Sequence, residues 1–150
     1  MSIRNLGVRT PQTAELTLSA RAAAQQMQKH GIGCLVVAEG KKPIGVVTDR
    51  DLALYVLVGK RDAGMVRLGD VAARPALTIP ETASIADAAQ MMRRHGVRRL
   101  PVVDQKGELV ALLSQDDLLR ALATEVADLG EVVRRQLSTA PRGEKAPSAS

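Results

Sequence analysis

Two hydroxyl–carboxylate pairs stand in the same setting at two places in the chain. Thr48 and Asp51 lie in GVVTDRDL, residues 45–52; Ser114 and Asp117 lie in ALLSQDDL, residues 111–118. A carboxylate three residues after a hydroxyl can do two kinds of work. It can close a capping box, in which the hydroxyl accepts a first-turn N–H and the carboxylate suits the positive end of the helix. It can also serve a ligand. A helix start presents free N–H groups to an anion. A carboxylate there can accept hydrogen bonds from vicinal ribose hydroxyls, as the acidic residue of dinucleotide-binding folds does. A glycine such as Gly45 lets a ligand approach the backbone closely. The two kinds of work are compatible, and the residues alone leave both open.

Other reactive side chains are few. Arg98 and Arg99 suit a phosphate, whose oxygens match the planar guanidinium fork; they equally suit a solvated strand entrance. His30 and His95 fall at helix ends, where a cation favours the dipole; too few donors lie near them in sequence to hold a metal. Cys34 is the only cysteine and sits in the apolar run CLVVA, which reads as a small buried hydrophobe. Asp49 and Asp116, beside the motif carboxylates, read as solvent-facing. With no Ser/His/Asp set, Cys/His pair, Walker loop or metal cluster, the chain reads as a non-enzyme.

The elements that must position these residues come from an internal duplication. Shifted by 65 positions, TAELTLSARAAAQQMQKHGIGCLVV (13–37) falls on TIPETASIADAAQMMRRHGVRRLPV (78–102), with Ser19 on Ser84, Met27 on Met92, His30 on His95 and Gly31 on Gly96. One residue is added in the second turn, and at a shift of 66 Gly45 meets Ala111, Thr48 meets Ser114 and Asp51 meets Asp117. Each copy predicts a helix capped by Ser19 or Ser84 and stopped by Gly31 or Gly96. Two short apolar strands joined by a turn follow, then a second helix from Asp49 or Gln115. A short extended piece near Thr13 or Thr78 precedes each α-β-β-α unit. The fold class is α+β: one unit over residues 5–65, a second over 66–137, and a Pro-, Ser-, Ala- and Gly-rich tail over 138–150 that reads as disordered. The stretch LALYVLV, 52–58, is apolar on every side, so a helix there must be covered on more than one face. One copy of about 60 residues is marginal alone, so the units are expected to pack on each other and on a partner chain. Gly130 is expected to kink or interrupt the last helix.

Composition narrows the function classes. The chain has 150 residues, is 45% hydrophobic, and carries a formal charge of +5. It has one Tyr, no Phe and no Trp, so its core is aliphatic. The basic residues are spread along the chain, and stacking platforms for single strands are missing, which argues against nucleic acid. No apolar run is long enough to span a membrane, and the N-terminus carries no apolar signal core. One cysteine is consistent with a reducing cytoplasm.

Taken together, GVVTDRDL, GIGCLVVAEGKKPIGVVTDRDL and HGVRRLPVVDQKGELVALLSQDDL resemble the CBS domain, and the whole of residues 5–135 resembles a tandem CBS pair, or Bateman module. Ala111 stands where the family has Gly, Val36 where Pro is common, and the frequent Met after Val71 is absent. The resemblance implies two units packed with pseudo-two-fold symmetry. Between them would be two clefts for an adenine nucleotide: AMP, ADP, ATP or S-adenosylmethionine. No cofactor is required. The implied role is regulatory: a homodimer passes the bound state to a regulated protein. A ligand-free dimerisation scaffold is the alternative. In this resemblance Asp51 and Asp117 hold ribose. Arg98 and Arg99 reach across to Thr48 and Asp51, whereas Ser114 and Asp117 face the uncharged Gly33 and Cys34. The Asp51 cleft is thus expected to prefer phosphate. Without aromatics, adenine would lie between aliphatic walls, with Thr78, Ile79 and Pro80 in one cleft and Thr13, Ala14 and Leu16 in the other.

Overall fold

The computed structural model describes residues 1–8 and 10–139. Each half contains the expected unit. After a short 3-10 turn, Ile3–Leu6, the first unit runs β1 (Thr13–Ala14), α1 (Ala20–His30), β2 (Cys34–Glu39), β3 (Lys42–Thr48) and α2 (Asp49–Ala53), which continues as one π-helical stretch over Leu54–Val58. The second runs α3 (Leu68–Val71), β4 (Ile79–Pro80), α4 (Ile85–His95), β5 (Arg99–Val103), β6 (Leu109–Ser114) and α5 (Gln115–Thr139). Each unit has a three-stranded sheet in sequence order. The short strand pairs in parallel with the next, and that one pairs antiparallel with the third.

The local chemistry follows the sequence. The Ser19 hydroxyl accepts the Ala22 N–H at 3.1 Å, and the Ser84 hydroxyl accepts that of Asp87 at 3.0 Å. Gly31 and Gly96 end α1 and α4 at φ of 61° and 64°, a left-handed turn that glycine adopts without strain. The aliphatic core divides in two. One cluster gathers Ala23, Met27, Leu35, Val37 and Val47; the other gathers Ala88, Met92, Leu100, Val102 and Leu113. Full burial of each large aliphatic side chain contributes roughly 1.5–3 kcal/mol.

The units exchange their leading segments. Ile3, fully buried, belongs to the second cluster, and Leu68, also fully buried, belongs to the first. The exchange is stitched symmetrically. Ile3 N–H donates to Ala83 O and Leu68 N–H to Leu18 O, both at 2.9 Å. Arg4 N–H donates to Glu81 O at 3.1 Å and Gly69 N–H to Leu16 O at 3.0 Å. Val66 and Val71 likewise pack with the first cluster, and Leu6 and Val8 with the second.

In the LALYVLV stretch Leu52 is buried and Tyr55 and Val56 are half-buried, while Leu54, Leu57 and Val58 are exposed. The last helix passes through Gly130 without interruption and reaches Thr139, so Ser138 and Thr139 are helical; the rest of the expected tail, 140–150, lies outside the described residues. Among the described residues no helix is long and apolar enough to cross a membrane.

Candidate nucleotide site between the units

Both motifs sit where a strand ends and a helix begins, and both close as capping boxes. Asp51 N–H donates to Thr48 Oγ1 at 3.1 Å, and Thr48 N–H donates to Asp51 Oδ2 at 2.9 Å. In the second unit Asp117 N–H donates to Ser114 Oγ at 3.2 Å, and Asp117 Oδ2 accepts the Ser114 N–H at 2.8 Å and the Ser114 hydroxyl at 2.7 Å. Beyond the box the copies diverge. Arg120 Nη2 donates to Asp117 Oδ1 at 2.6 Å. Among the described residues no donor reaches Oδ1 of Asp51. Partial burial acts to raise the Asp117 carboxyl, but the Ser114 hydroxyl and N–H, followed by Arg120, hold it below its ordinary value.

A cavity of about 810 Å³ opens at the second motif. Ser114, Asp116, Asp117, Arg120, Leu112 and Arg99 line one side; His30, Gly31, Ile32, Gly33 and Cys34 of the first unit line another. The leading segment closes it through Leu6, Gly7 and Val8 with Thr10, Pro11 and Gln12. The expected pairing of Ser114 and Asp117 with Gly33 and Cys34 is present. The expectation that this cleft offers no charge is overturned, because Arg99 and Arg120 both line it. The reason for Arg99 is ladder geometry: Arg99 is the cross-strand partner of Ser114, and paired residues share a sheet face. Cys34 is likewise paired with Thr48.

Asp51 lines a smaller cleft of about 420 Å³ with Leu54, Tyr55, Val58, Gly59, Arg61 and Val71. Neither Arg98 nor Arg99 lines it. Arg98 is exposed, and its carbonyl accepts the Gln115 N–H at 2.8 Å. Gly45 is not open to a ligand. It is buried under the segment between the units, where a Cβ would lie 2.9 Å from Arg74 Cγ and 3.0 Å from Ala73 O. That segment is bonded along β3, with Val46 N–H donating to Ala73 O at 3.2 Å and Ala73 N–H to Val46 O at 3.0 Å. Gly45 is therefore needed by the chain's own backbone. Its counterpart Ala111 is buried in the core, so a methyl is accepted there.

The aliphatic walls also lie elsewhere than expected. Ile79 is 1% exposed in the core and pairs with Val102, so its side chain is unavailable to a ligand. Thr78 and Pro80 are half-buried and exposed, outside the residues lining the large cavity. Thr13 and Ala14 line a separate groove with Ser19, Gln26 and Arg67 that contains neither motif; Leu16 packs against the first core cluster. The apolar wall of the large cavity is instead Leu6, Val8, Ile32 and Leu112. Sequence reasoning also missed Arg120. The signal was available in the duplication, since S-x-x-D-x-x-R in the second copy stands against T-x-x-D-x-x-L, with Leu54, in the first. Cys34 is 4% exposed, and burial pushes its thiol up to about 11, which fits the inert reading. No group of residues suited to a metal ion occurs among the described residues.

Comparison with known proteins agrees with this architecture. The CBS domain family matches twice, over residues 3–58 and 68–124. The chain is 31% identical over 136 residues to the uncharacterized protein MK0525 of Methanopyrus kandleri, covering 90% of this chain and 69% of that protein. It is 36% identical over 107 residues to the uncharacterized protein MJ0653 of Methanocaldococcus jannaschii, covering 71% of this chain and 55% of that one. Among solved structures, the CBS domain protein PAE2072 from Pyrobaculum aerophilum, complexed with AMP, superposes with a TM-score of 0.73 at 30% identity, over 83% of this chain and 99% of that chain. Two matched domains, two duplicated strand-to-helix motifs and two symmetric sheets place this chain in the CBS-domain family, as a tandem pair.

Proposed function

We propose that this chain is a regulatory sensor that binds an adenine nucleotide in the cavity at Asp117 and signals the bound state to a protein partner as a homodimer in the cytoplasm. The observation that carries the reading is the convergence of Asp117, Arg99 and Arg120 in one cavity of about 810 Å³, within the range of roughly 300–1,000 Å³ usual for small-molecule sites. A carboxylate at a helix start suits ribose hydroxyls; two guanidinium groups suit phosphate. The aliphatic wall suits a base. A relative at 30% identity holding AMP supports the class of ligand. The Asp51 cleft has a free carboxylate oxygen but no arginine from the second unit, so it is the weaker site and favours a less anionic ligand such as S-adenosylmethionine or adenosine. The role we assign to the cavity is binding.

A ligand-free scaffold is the second reading, favoured by the two closed capping boxes, which already occupy Asp51 Oδ2 and Asp117 Oδ2. Calorimetric titration with AMP, ADP, ATP, S-adenosylmethionine and adenosine separates the two. The sensor reading requires at least one saturable site, tighter for AMP than for adenosine. Flat titrations with all five at millimolar ligand leave only the scaffold.

A further inference from the structure

The last helix does not stop where the family match ends at residue 124; it continues to Thr139. From Leu122 to Thr139 every residue is exposed except the half-buried Glu131, so among the described residues nothing covers this extension. Such a stretch is a poor helix alone. It carries Val126, Val132, Val133 and Gly130, all weak helix formers, and isolated helices of about this length are marginal in water. Yet its apolar residues are ordered. Leu119, Leu122, Val126, Leu129 and Val133 follow at alternating steps of three and four, between 45% and 68% exposed. Those are the a and d positions of a heptad, a period of about 3.5 residues that a partner helix demands and a flat surface does not. The charged residues keep off this seam. Arg120, Asp128, Glu131, Arg134 and Arg135 fall at b, c and f, and Glu131 is paired with both Arg134 and Arg135 within the helix.

We propose that the seam is covered by the same helix of a second copy, parallel and in register, forming a short coiled coil beyond the paired domains. Two exposed apolar residues off the seam select this occupant. Val132 is a g position and Leu137 an e position, five residues apart. In a parallel in-register pair, each g residue meets the e residue five places on in the other chain, so Val132 packs on Leu137 of the second copy. An antiparallel pair would instead set g against g and bring Val132 towards Glu125 of the second copy. In the parallel pair Glu125 faces Gly130, so no like charges meet. Gln136, at d, meets its own counterpart and exchanges side-chain amide hydrogen bonds. Valine at a (Val126, Val133) with leucine at d (Leu122, Leu129) is the two-stranded parallel pattern. A second copy supplies every one of these complements by identity of sequence. The inference rests on the homodimer part of the proposed function and is independent of the ligand.

The test uses the full chain. Sedimentation at tens of micromolar should show a dimer. Val126→Cys should form a covalent dimer under mild oxidation, because a residues face each other across the two-fold axis; the wild-type chain, with Cys34 buried, should not. Leu129→Asp, at a site 68% exposed, should weaken association at least tenfold while its circular-dichroism melt keeps a single cooperative transition. A monomeric wild-type chain overturns both the coiled coil and the homodimer. A dimer in which Val126→Cys fails to cross-link, or in which Leu129→Asp associates as tightly as wild type, overturns the coiled coil and leaves the homodimer standing.

Discussion

Arg120 donates to the outer oxygen of Asp117 at 2.6 Å, one helical turn along from it, and so holds the carboxylate oxygen that a ribose would need. The pair is at the surface, with Arg120 largely exposed, so its worth to stability is small, on the order of 0–1 kcal/mol. Its consequence is for binding. In the proposed binding mode a ribose would displace the guanidinium from Oδ1, and the freed guanidinium, lining the same cavity as Arg99, would meet a phosphate.

Arg120→Ala is expected to separate these contributions. Adenosine loses a competitor for Asp117 and binds as well as before or better. AMP loses a charged donor, a change of roughly 1.5–3 kcal/mol, or about ten- to a hundredfold in affinity. Calorimetry with the two ligands reads the split; equal effects on AMP and adenosine would remove the phosphate role from Arg120.

The two motif carboxylates offer an internal control. Each closes a capping box, so Asp51→Ala and Asp117→Ala are each expected to cost about 1 kcal/mol of stability. Their effects on AMP should differ. Asp117→Ala removes the proposed ribose acceptor from the cavity that holds Arg99 and Arg120, and should abolish the tighter site; Asp51→Ala should leave it within about twofold, well under the tenfold that 1.4 kcal/mol represents. Denaturant unfolding and AMP titration of both variants check this. Loss of the tight site in Asp51→Ala instead would return it to the first motif.

Much of this was legible in the chain, for a physical reason. Duplication shows each element twice, so Ser19 with Ser84, Gly31 with Gly96 and Thr48 with Ser114 confirm one another, and all of them act through local geometry within a few residues. What the sequence hid is long-range. That Arg99 shares a face with Ser114 depends on hairpin register. That Gly45 is filled by Ala73 and Arg74 depends on the path of the connecting segment. Ile79 is expected in an aliphatic wall for adenine, yet pairing with Val102 buries its side chain in the core. The exchange of leading segments is a tertiary event with no local signature, although Ile3 and Leu68 do stand 65 residues apart.

Acid should act on the second motif. Asp117 has a carboxyl held below its ordinary value in the fold, against about 3.9 when unfolded. A depressed carboxyl contributes stability that is present above the unfolded value and is lost as pH falls through the folded one. Ser114→Ala removes the hydroxyl that holds the carboxyl down, so the Asp117 titration should move upward and stability should begin to fall at a higher pH. NMR titration of Asp117 and thermal melts between pH 7 and pH 3 measure both. An unmoved titration would mean that the Ser114 hydroxyl does not set the carboxyl's protonation.

Ile3 tests the segment exchange. The first family match, residues 3–58, takes it into the first unit. In the fold it is fully buried among Ile79, Leu100 and Leu113 of the second core cluster. Two backbone bonds hold the turn around it, from Ile3 N–H to Ala83 O and from Arg4 N–H to Glu81 O. Ile3→Ala should therefore cost about 2–5 kcal/mol, the range for truncating a buried aliphatic side chain to alanine. Leu68→Ala should cost a similar amount through the first cluster. Hydrogen exchange locates the damage: Ile3→Ala should speed exchange in β5 and β6 before β2 and β3, and Leu68→Ala should do the reverse. Were Ile3→Ala to loosen its own unit, or to cost less than about 0.5 kcal/mol as surface changes do, the leading segment would not be part of the second unit's core.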